Sequence, residues 1–206
     1  MDNEKVMIAP DTAGVEIFTP EEVEKMVAAV QPFNIYHLCI MLSLFTGVTR
    51  AELNGIQWGD IDAENKLLKI RRTGNTRLIE RGRDIKECIT TELKNERQAR
   101  DLPIPDRIAK QMTIMKDSHS DDQLILEEPF EVIRAAKLRL RYETFLKKSG
   151  VRYKSISALR HTFAVTCIEN GMMPEELSRL LGHKDVYVTY KRYGALIRKG
   201  VRRNDD

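Results

Sequence analysis

Hydrophobic residues recur at helical spacing in the first quarter of the chain. Thr19 is followed by a proline and by Glu22, which predicts a capped helix start, because the threonine can cap and the glutamate completes a capping box. Residues 34–46 are apolar on nearly every side, which predicts a central buried helix that ends at Gly47. A short helix is predicted over residues 51–56.

The pattern in the middle of the chain is typical of strands instead. Strand-like runs at 66–70, 88–91 and 100–104 are separated by turn signals, one of them at Lys94–Asn95. These runs predict a small antiparallel sheet of about three strands. Helical periodicity then returns, and the predicted helices cover residues 106–116, 130–148, 157–170, 174–181 and 186–198. The predicted fold is therefore mainly α (α+β), a helical domain with a small inserted antiparallel sheet.

The chain is long enough for one domain with its own core, since it has 206 residues of which 42% are hydrophobic. Residues 1–17 show no periodicity and are predicted to form a flexible tail before a single domain over residues 18–206. The longest apolar run, Leu38–Phe45, is too short to cross a bilayer, and the N-terminus is unlike a signal peptide. Three widely separated cysteines without zinc-like spacing argue against a disulfide framework and a structural metal. A soluble cytoplasmic protein is expected.

Positive charge is concentrated in two segments, although the net charge is only +3. Five arginines lie between residues 71 and 83, and six Lys or Arg residues lie between residues 191 and 203. Such stretches can neutralise phosphates. A solvated face explains them equally well, so the charge alone leaves both interpretations open.

Three segments carry candidate chemistry. The first is Thr46–Leu53 (TGVTRAEL) and the second is Leu159–Ala164 (LRHTFA). The third is Leu181–His183 (LGH), whose histidine lies ten residues before Tyr193. Together they resemble the tyrosine recombinase (phage integrase) family, and the likeness extends over nearly the whole chain from residue 18. The second and third segments at this distance before a tyrosine are specific in combination, whereas either alone is a weak signal.

The resemblance implies a site that transfers a phosphodiester. It makes Tyr193 the nucleophile that forms a transient 3′-phosphotyrosyl bond. Arg160 matches the family's second arginine, which holds the scissile phosphate. His183 matches a histidine that hydrogen-bonds the phosphate or relays a proton. Lys94 matches the family's hairpin lysine, a general acid toward the 5′-hydroxyl leaving group. These residue types suit the chemistry, because a phenol with a pKa near 10 is a poor nucleophile and fixed cations must bind the charge that develops on the phosphate. Bond energy is conserved in the exchange, so no metal or other cofactor is expected.

Two positions depart from the family pattern. The family's first catalytic arginine falls on Thr49, and Arg50, one residue later, is rotated by about 100° on a helix. The histidine of the family's H-x-x-R segment falls on Ser157. Losing one oxyanion donor costs roughly 10²–10³ in rate. The chain is therefore expected to be a slow or partner-dependent enzyme, or a catalytically impaired DNA-binding or regulatory derivative. An engineered change at Thr49 is the remaining alternative. Thr49 also has a structural interpretation, since it can form a capping box with Glu52.

Most of these side chains also have simpler interpretations. Tyr193 follows other residues at helical spacing and could be a core tyrosine, while Tyr190 is the rival nucleophile one turn earlier. His161 is interpreted as a structural hydrogen-bonding residue, and Lys94 in isolation would be a turn lysine. Arg160 differs, because an arginine buried at an apolar helix start needs an anionic partner.

The resemblance also implies partners. Duplex DNA would be the substrate, and the candidate DNA contacts are Arg50, Arg100, Lys191 and Arg192. Further copies of the chain would assemble on the DNA, with a monomer expected in isolation and no membrane contact. Relatives carry an N-terminal core-binding domain, and none is predicted here. The source would be a phage or mobile element in a prokaryotic cell. A third hypothesis is a helical protein-interaction module, which predicts no binding to duplex DNA even at low salt.

Overall fold

The computed structural model describes residues 14–78, 86–93, 98–128, 131–132 and 135–203. Its helices are Pro20–Ala28 (α1), Ile35–Thr46 (α2), Arg50–Leu53 (α3), Asp106–Lys116 (α4), Ala135–Lys148 (α5), Ser157–Glu169 (α6), Pro174–Leu181 (α7) and Val186–Arg203 (α8). Its strands are Ile61–Asp62 (β1), Leu67–Ile70 (β2), Arg72–Leu78 (β3), Lys86–Glu92 (β4), Arg100–Pro103 (β5), Glu127–Glu128 (β6) and Glu131–Val132 (β7). The predicted class, mainly helical with a small three-stranded antiparallel sheet, is confirmed.

The first helix begins at its predicted capping box, and the second ends at its predicted glycine. The Thr19 side chain accepts a hydrogen bond from the Glu22 backbone, and the Glu22 carboxylate accepts one from the Thr19 backbone, so the capping box is complete. Asn34 caps α2 by accepting from the His37 backbone N–H. Gly47 ends α2 in the left-handed region with φ at 70°.

The strands form three antiparallel groups rather than one sheet. In the three-stranded sheet, of order β1-β2-β5, Leu68 of β2 lies opposite Leu102 of β5. The predicted strand at 88–91 lies outside this sheet, because β4 pairs with β3 in a separate hairpin. Strand β3 packs closely on the end of α3, because a Cβ on Gly74 would lie 2.3 Å from the backbone oxygen of Asn54. The third group is the short pair β6-β7.

The predicted boundaries of three helices were wrong. The helix predicted over 130–148 begins only at Ala135, because residues 131–132 pair with residues 127–128 as strands. The helix predicted over 51–56 begins one residue earlier and ends at Leu53, and the backbone at Gly55 lies directly against β3. The last helix continues to Arg203, beyond the predicted residue 198.

The hydrophobic core is built around α2, which packs against α4, α5 and α6. A second cluster joins α6, α7 and α8 and contains Tyr193. Val15 and Ile17, which fall within the segment predicted as a tail, pack against this second cluster, while residues 1–13 lie outside the described part of the chain. Within the described residues, no helix combines the length and the apolar character needed to cross a membrane.

Gly47 joins the core helix to the segment that carries Thr49, and we expect Gly47→Ala to be strongly destabilising. The left-handed backbone disfavours a Cβ, and that Cβ would lie 2.6 Å from Phe163 Cδ1. Strain and overpacking together should lower the free energy of unfolding by about 2–4 kcal/mol, measured by denaturant unfolding. Gly150→Ala is the matched control, because Gly150 has φ at +67° but open space around it. It should lose only about 1–2 kcal/mol, and equal losses in both variants would show that the Phe163 contact has no effect.

Candidate active site

Helices α6, α7 and α8 bring most of the predicted site residues together. Arg160 lies in the first turns of α6, His183 follows the glycine that ends α7, and Tyr193 lies in α8. These three helices pack against one another, so residues far apart along the chain meet in one region. Lys94, the predicted general acid, lies outside the described residues.

The guanidinium of Arg160 connects the ends of two helices. Its Nη1 donates to the Gly47 backbone oxygen at 2.6 Å, and its Nη2 donates to the Leu181 backbone oxygen at 2.6 Å. Burial lowers the pKa of Arg160 to about 10, and the nearby Glu52 carboxylate opposes that shift, so the side chain is cationic at neutral pH. The structure therefore fixes one cation between the first and third sequence segments.

Tyr193 is fully buried, and its hydroxyl lies 2.8 Å from His161 Nδ1. Burial raises the pKa of Tyr193, whereas the positive charges of Arg160 and Arg192 act in the opposite direction. The rival tyrosine, Tyr190, is 43% exposed. Of these two tyrosines, Tyr193 is the one whose hydroxyl contacts a histidine and lies near the charges of Arg160 and Arg192.

The contact between His161 and Tyr193 was not anticipated from the sequence, in which His161 was assigned only a structural hydrogen bond. Burial lowers the pKa of His161, and the charges of Arg192 and Arg160 lower it further, so the imidazole is neutral at pH 7. A neutral Nδ1 at this distance can accept the phenolic proton. The only sequence signal for this contact was that His161 is adjacent to Arg160. Adjacency does not indicate which way the His161 ring points.

His183 lies in the turn after α7, where Gly182 adopts φ of 68°. Its backbone N–H donates to the Ser178 oxygen at 3.0 Å, and its Nδ1 lies 2.8 Å from the Thr189 hydroxyl. Burial lowers the pKa of His183 to about 4, with Arg160, Arg192 and Arg100 contributing in the same direction. A neutral imidazole held by Thr189 is thus presented beside the cations.

Thr49 caps α3, as its structural interpretation predicted. Its hydroxyl accepts from the Glu52 backbone N–H, and its own backbone N–H donates to Glu52 Oε2 at 2.7 Å. The other carboxylate oxygen of Glu52 accepts from Nη1 of Arg100 at 2.6 Å. Arg100 was predicted to contact DNA, but its side chain is only 8% exposed and is paired inside the protein. The prediction for Arg100 as a surface contact is therefore corrected, since a buried carboxylate 48 residues earlier in the chain holds it.

The remaining candidates lie on the surface. Arg50, Lys191 and Arg192 are exposed, and Ser157 is exposed at the start of α6. Arg192 is close enough to lower the pKa of both His161 and His183. Among the described residues, no group of three or more His, Cys, Asp or Glu side chains is arranged to hold a metal ion.

The chain is similar in sequence to curated recombinases and transposases. The chain is 28% identical over 202 residues to a protein named tyrosine recombinase XerC-like from Caldanaerobacter subterraneus subsp. tengcongensis, covering 90% of this chain and 51% of that protein. It is 22% identical to the transposase from transposon Tn916 of Enterococcus faecalis, covering 92% of this chain and 50% of the transposase. The chain thus spans about half the length of these curated relatives.

Solved structures show the same fold. The Tn1549 transposon integrase in complex with circular intermediate DNA superposes with a TM-score of 0.70 at 20% identity, covering 91% of this chain and 66% of that one. XerA recombinase gives a TM-score of 0.69 at 16% identity, covering 93% and 64%. The phage integrase family pattern matches residues 16–198, which include every described residue of the candidate site. The chain therefore belongs to the phage integrase family.

Proposed function

We propose that the chain is the catalytic part of a site-specific DNA recombinase, which cuts and rejoins duplex DNA through a 3′-phosphotyrosyl intermediate. The observation that carries the proposal is the Tyr193 hydroxyl, which is hydrogen-bonded to a neutral His161 and lies within the field of Arg160 and Arg192. Family membership supports a DNA strand-transfer enzyme. Residues 18–206 form the catalytic domain in this proposal.

The proposed reaction exchanges one phosphate ester for another. Arg160 binds the non-bridging oxygens, since its charge and planar fork suit a phosphate, and His183 adds a contact from the turn after α7. The Tyr193 oxygen attacks phosphorus while its proton passes to His161, and the bond to the 5′-oxygen breaks. The leaving 5′-oxygen takes a proton from Lys94, the residue that the resemblance implies. Reversal by a 5′-hydroxyl rejoins the strand, so the energy of the ester bond is retained and no cofactor is consumed.

The proposed partners are duplex DNA and further copies of the chain assembled on it. Arg50, Lys191 and Arg192 are exposed and can contact phosphates. The Tn1549 integrase was solved with circular intermediate DNA, which supports DNA as the partner of this fold. The proposed setting is the cytoplasm of a prokaryotic cell that harbours a phage or mobile element.

A second candidate is a catalytically impaired DNA-binding derivative of an integrase. The observations that favour it are Thr49 and Ser157, which stand where the resemblance places an arginine and a histidine. Both candidates bind duplex DNA, so only a covalent product separates them.

Covalent capture distinguishes the two candidates. The probe is a pool of nicked duplexes with a randomised central segment, in which the cleaved end diffuses away and leaves the protein attached to the DNA. We expect a band that resists denaturation, that is lost in Tyr193→Phe and that persists in Tyr190→Phe, because the Tyr193 hydroxyl contacts the His161 imidazole and Tyr190 has no such contact in the described part of the chain. Sequencing the captured DNA identifies the target site. Binding without any covalent band would support the impaired derivative, and a band lost in Tyr190→Phe alone would reassign the nucleophile.

A further inference from the structure

The buried pair between Arg100 and Glu52 lies next to Thr49, where the resemblance places an arginine. We infer that Arg100, supplied by strand β5, is the positioning cation that replaces that arginine and keeps the phosphate site positively charged. The inference deepens the proposed function and rests on it. Three features support it: the contacts of Glu52, the balance of charge around Arg160, and the contacts of Arg100 with the turn before His183.

Glu52 is the carboxylate that both arginines approach. Its Oε1 accepts from Arg100 Nη1 at 2.6 Å, and its Oε2 lies 3.9 Å from Arg160 Nη1. Both side chains of the Arg100 pair are more than nine-tenths buried. Burial tends to raise the pKa of Glu52, but the hydrogen bond and charge of Arg100, assisted by Thr49 and Arg160, leave it below its ordinary value. Glu52 is therefore ionised, and Arg100 is its main partner.

The balance of charge explains why such a partner is needed. A single anion, Glu52, lies next to two cations, Arg100 and Arg160, so the group retains one net positive charge. Without Arg100, the buried carboxylate would pair with Arg160 and compete with a phosphate for the same guanidinium. An arginine at position 49 would sit on the same helix end as Glu52. Here Thr49 only caps that helix end, and the cation comes from another part of the chain.

Arg100 also supports the turn that carries His183. Its Nε donates to the Leu180 backbone oxygen at 2.6 Å, and a Cβ on Gly182 would lie 2.6 Å from its Nη1. Arg100 and His183 line the same cavity of about 680 Å³. Its Nη2 is buried and has no hydrogen-bond partner among the described residues, so no second carboxylate there offsets the charge.

The test compares four variants by the rate of covalent capture on the selected nicked duplex and by thermal unfolding. Arg100→Gln should slow capture by at least about 100-fold, the scale of losing one charge-stabilising donor. Arg100→Lys should lose less capture than Arg100→Gln, because it keeps the charge although one ammonium cannot reach both Glu52 and the Leu180 oxygen. Arg100→Gln combined with Glu52→Gln should recover at least about tenfold, because no unpaired carboxylate remains. Thr49→Arg alone should change the rate by less than about tenfold, since Glu52 is already neutralised.

The matched controls are Arg139→Gln and Glu143→Gln, which break a solvent-exposed Arg–Glu pair on α5. They should leave capture unchanged. If Arg100→Gln does not fold, the double variant Arg100→Gln with Glu52→Gln is compared with the parent instead, because it leaves no unpaired buried charge.

A DNA-independent measurement separates this inference from the proposed function. Removing the charge of Arg100 should raise the pKa of His183 in an NMR titration of the free protein, because one of the three positive charges that lower this pKa is lost. The other charges near His183, those of Arg160, Arg192 and Asp185, are left in place. No covalent product from the parent protein would overturn the proposed function, while the titration still decides the role of Arg100. An unchanged His183 titration would overturn the role of Arg100, and so would capture by folded Arg100→Gln within about threefold of the parent. A gain of about 100-fold from Thr49→Arg, the size of one added donor, would also overturn it.

Discussion

Arg160→Lys is expected to slow covalent capture by at least about 10²-fold, even though it preserves the charge. The reason is geometric. The guanidinium already donates to the Gly47 and Leu181 oxygens through separate nitrogens and still has N–H groups for a phosphate. A lysine ammonium presents a single point of contact and cannot span both carbonyls while binding phosphate oxygens. Single-turnover capture at saturating DNA measures the loss.

The control for this prediction is Arg107→Lys, which changes an exposed arginine on α4. It should leave both capture and thermal unfolding as they are in the parent protein. Capture by a folded Arg160→Lys variant at the parental rate would show that Arg160 is a structural bridge between two loops and has no specific role at the phosphate.

His161→Ala is expected to slow capture by about 10²–10⁴-fold, the usual contribution of a positioned proton acceptor. Ser157, at the position where the resemblance places the family's H-x-x-R histidine, is exposed, whereas His161 contacts Tyr193, the proposed nucleophile. Added imidazole should restore part of the rate, because it can occupy the vacated space and accept the proton. His119→Ala is the control, since this half-buried histidine stacks on Trp58 in another part of the protein.

The pH dependence of capture gives a second test of His161. Burial and the charges of Arg192 and Arg160 hold its pKa below the ordinary value, with Glu16 opposing them, so the ring is neutral at pH 7. Protonation removes the acceptor, so capture by the parent protein should fall as the pH decreases through this lowered pKa. The corresponding acidic limb should disappear in His161→Ala. An acidic limb that persists in that variant would assign the titration to another group and reject His161 as the acceptor.

Several candidate site residues could be identified in the sequence because their signals are local. Arg160, His183 and Tyr193 lie in short segments whose spacing is specific, and helices place them on adjoining elements. The capping box at Thr49 is equally local, since it depends on a residue only three positions away. The role of Lys94 stays a prediction, because that residue lies outside the described part of the chain.

The errors at Arg100 and at the strand over 88–91 share a physical cause, because in both the sequence does not specify which other segment the residue meets. Arg100 resembles any basic residue on a strand, and only its packing under α7 and against Glu52 makes it a buried partner. The strand at 88–91 has ordinary strand character, but it pairs with β3 in a separate hairpin and not with the three-stranded sheet. Local propensity predicts that a strand forms and does not specify its neighbour.

The sequence by itself determined the helical class, the helix caps and the family, because periodicity, capping and short motifs are properties of neighbouring residues. The tertiary structure alone decided which side chains meet. It placed His161 on the Tyr193 hydroxyl and Arg100 on Glu52, pairs separated by 32 and 48 residues. Such pairs form because a buried polar group must find a partner, and packing of the whole core determines which partner is within reach.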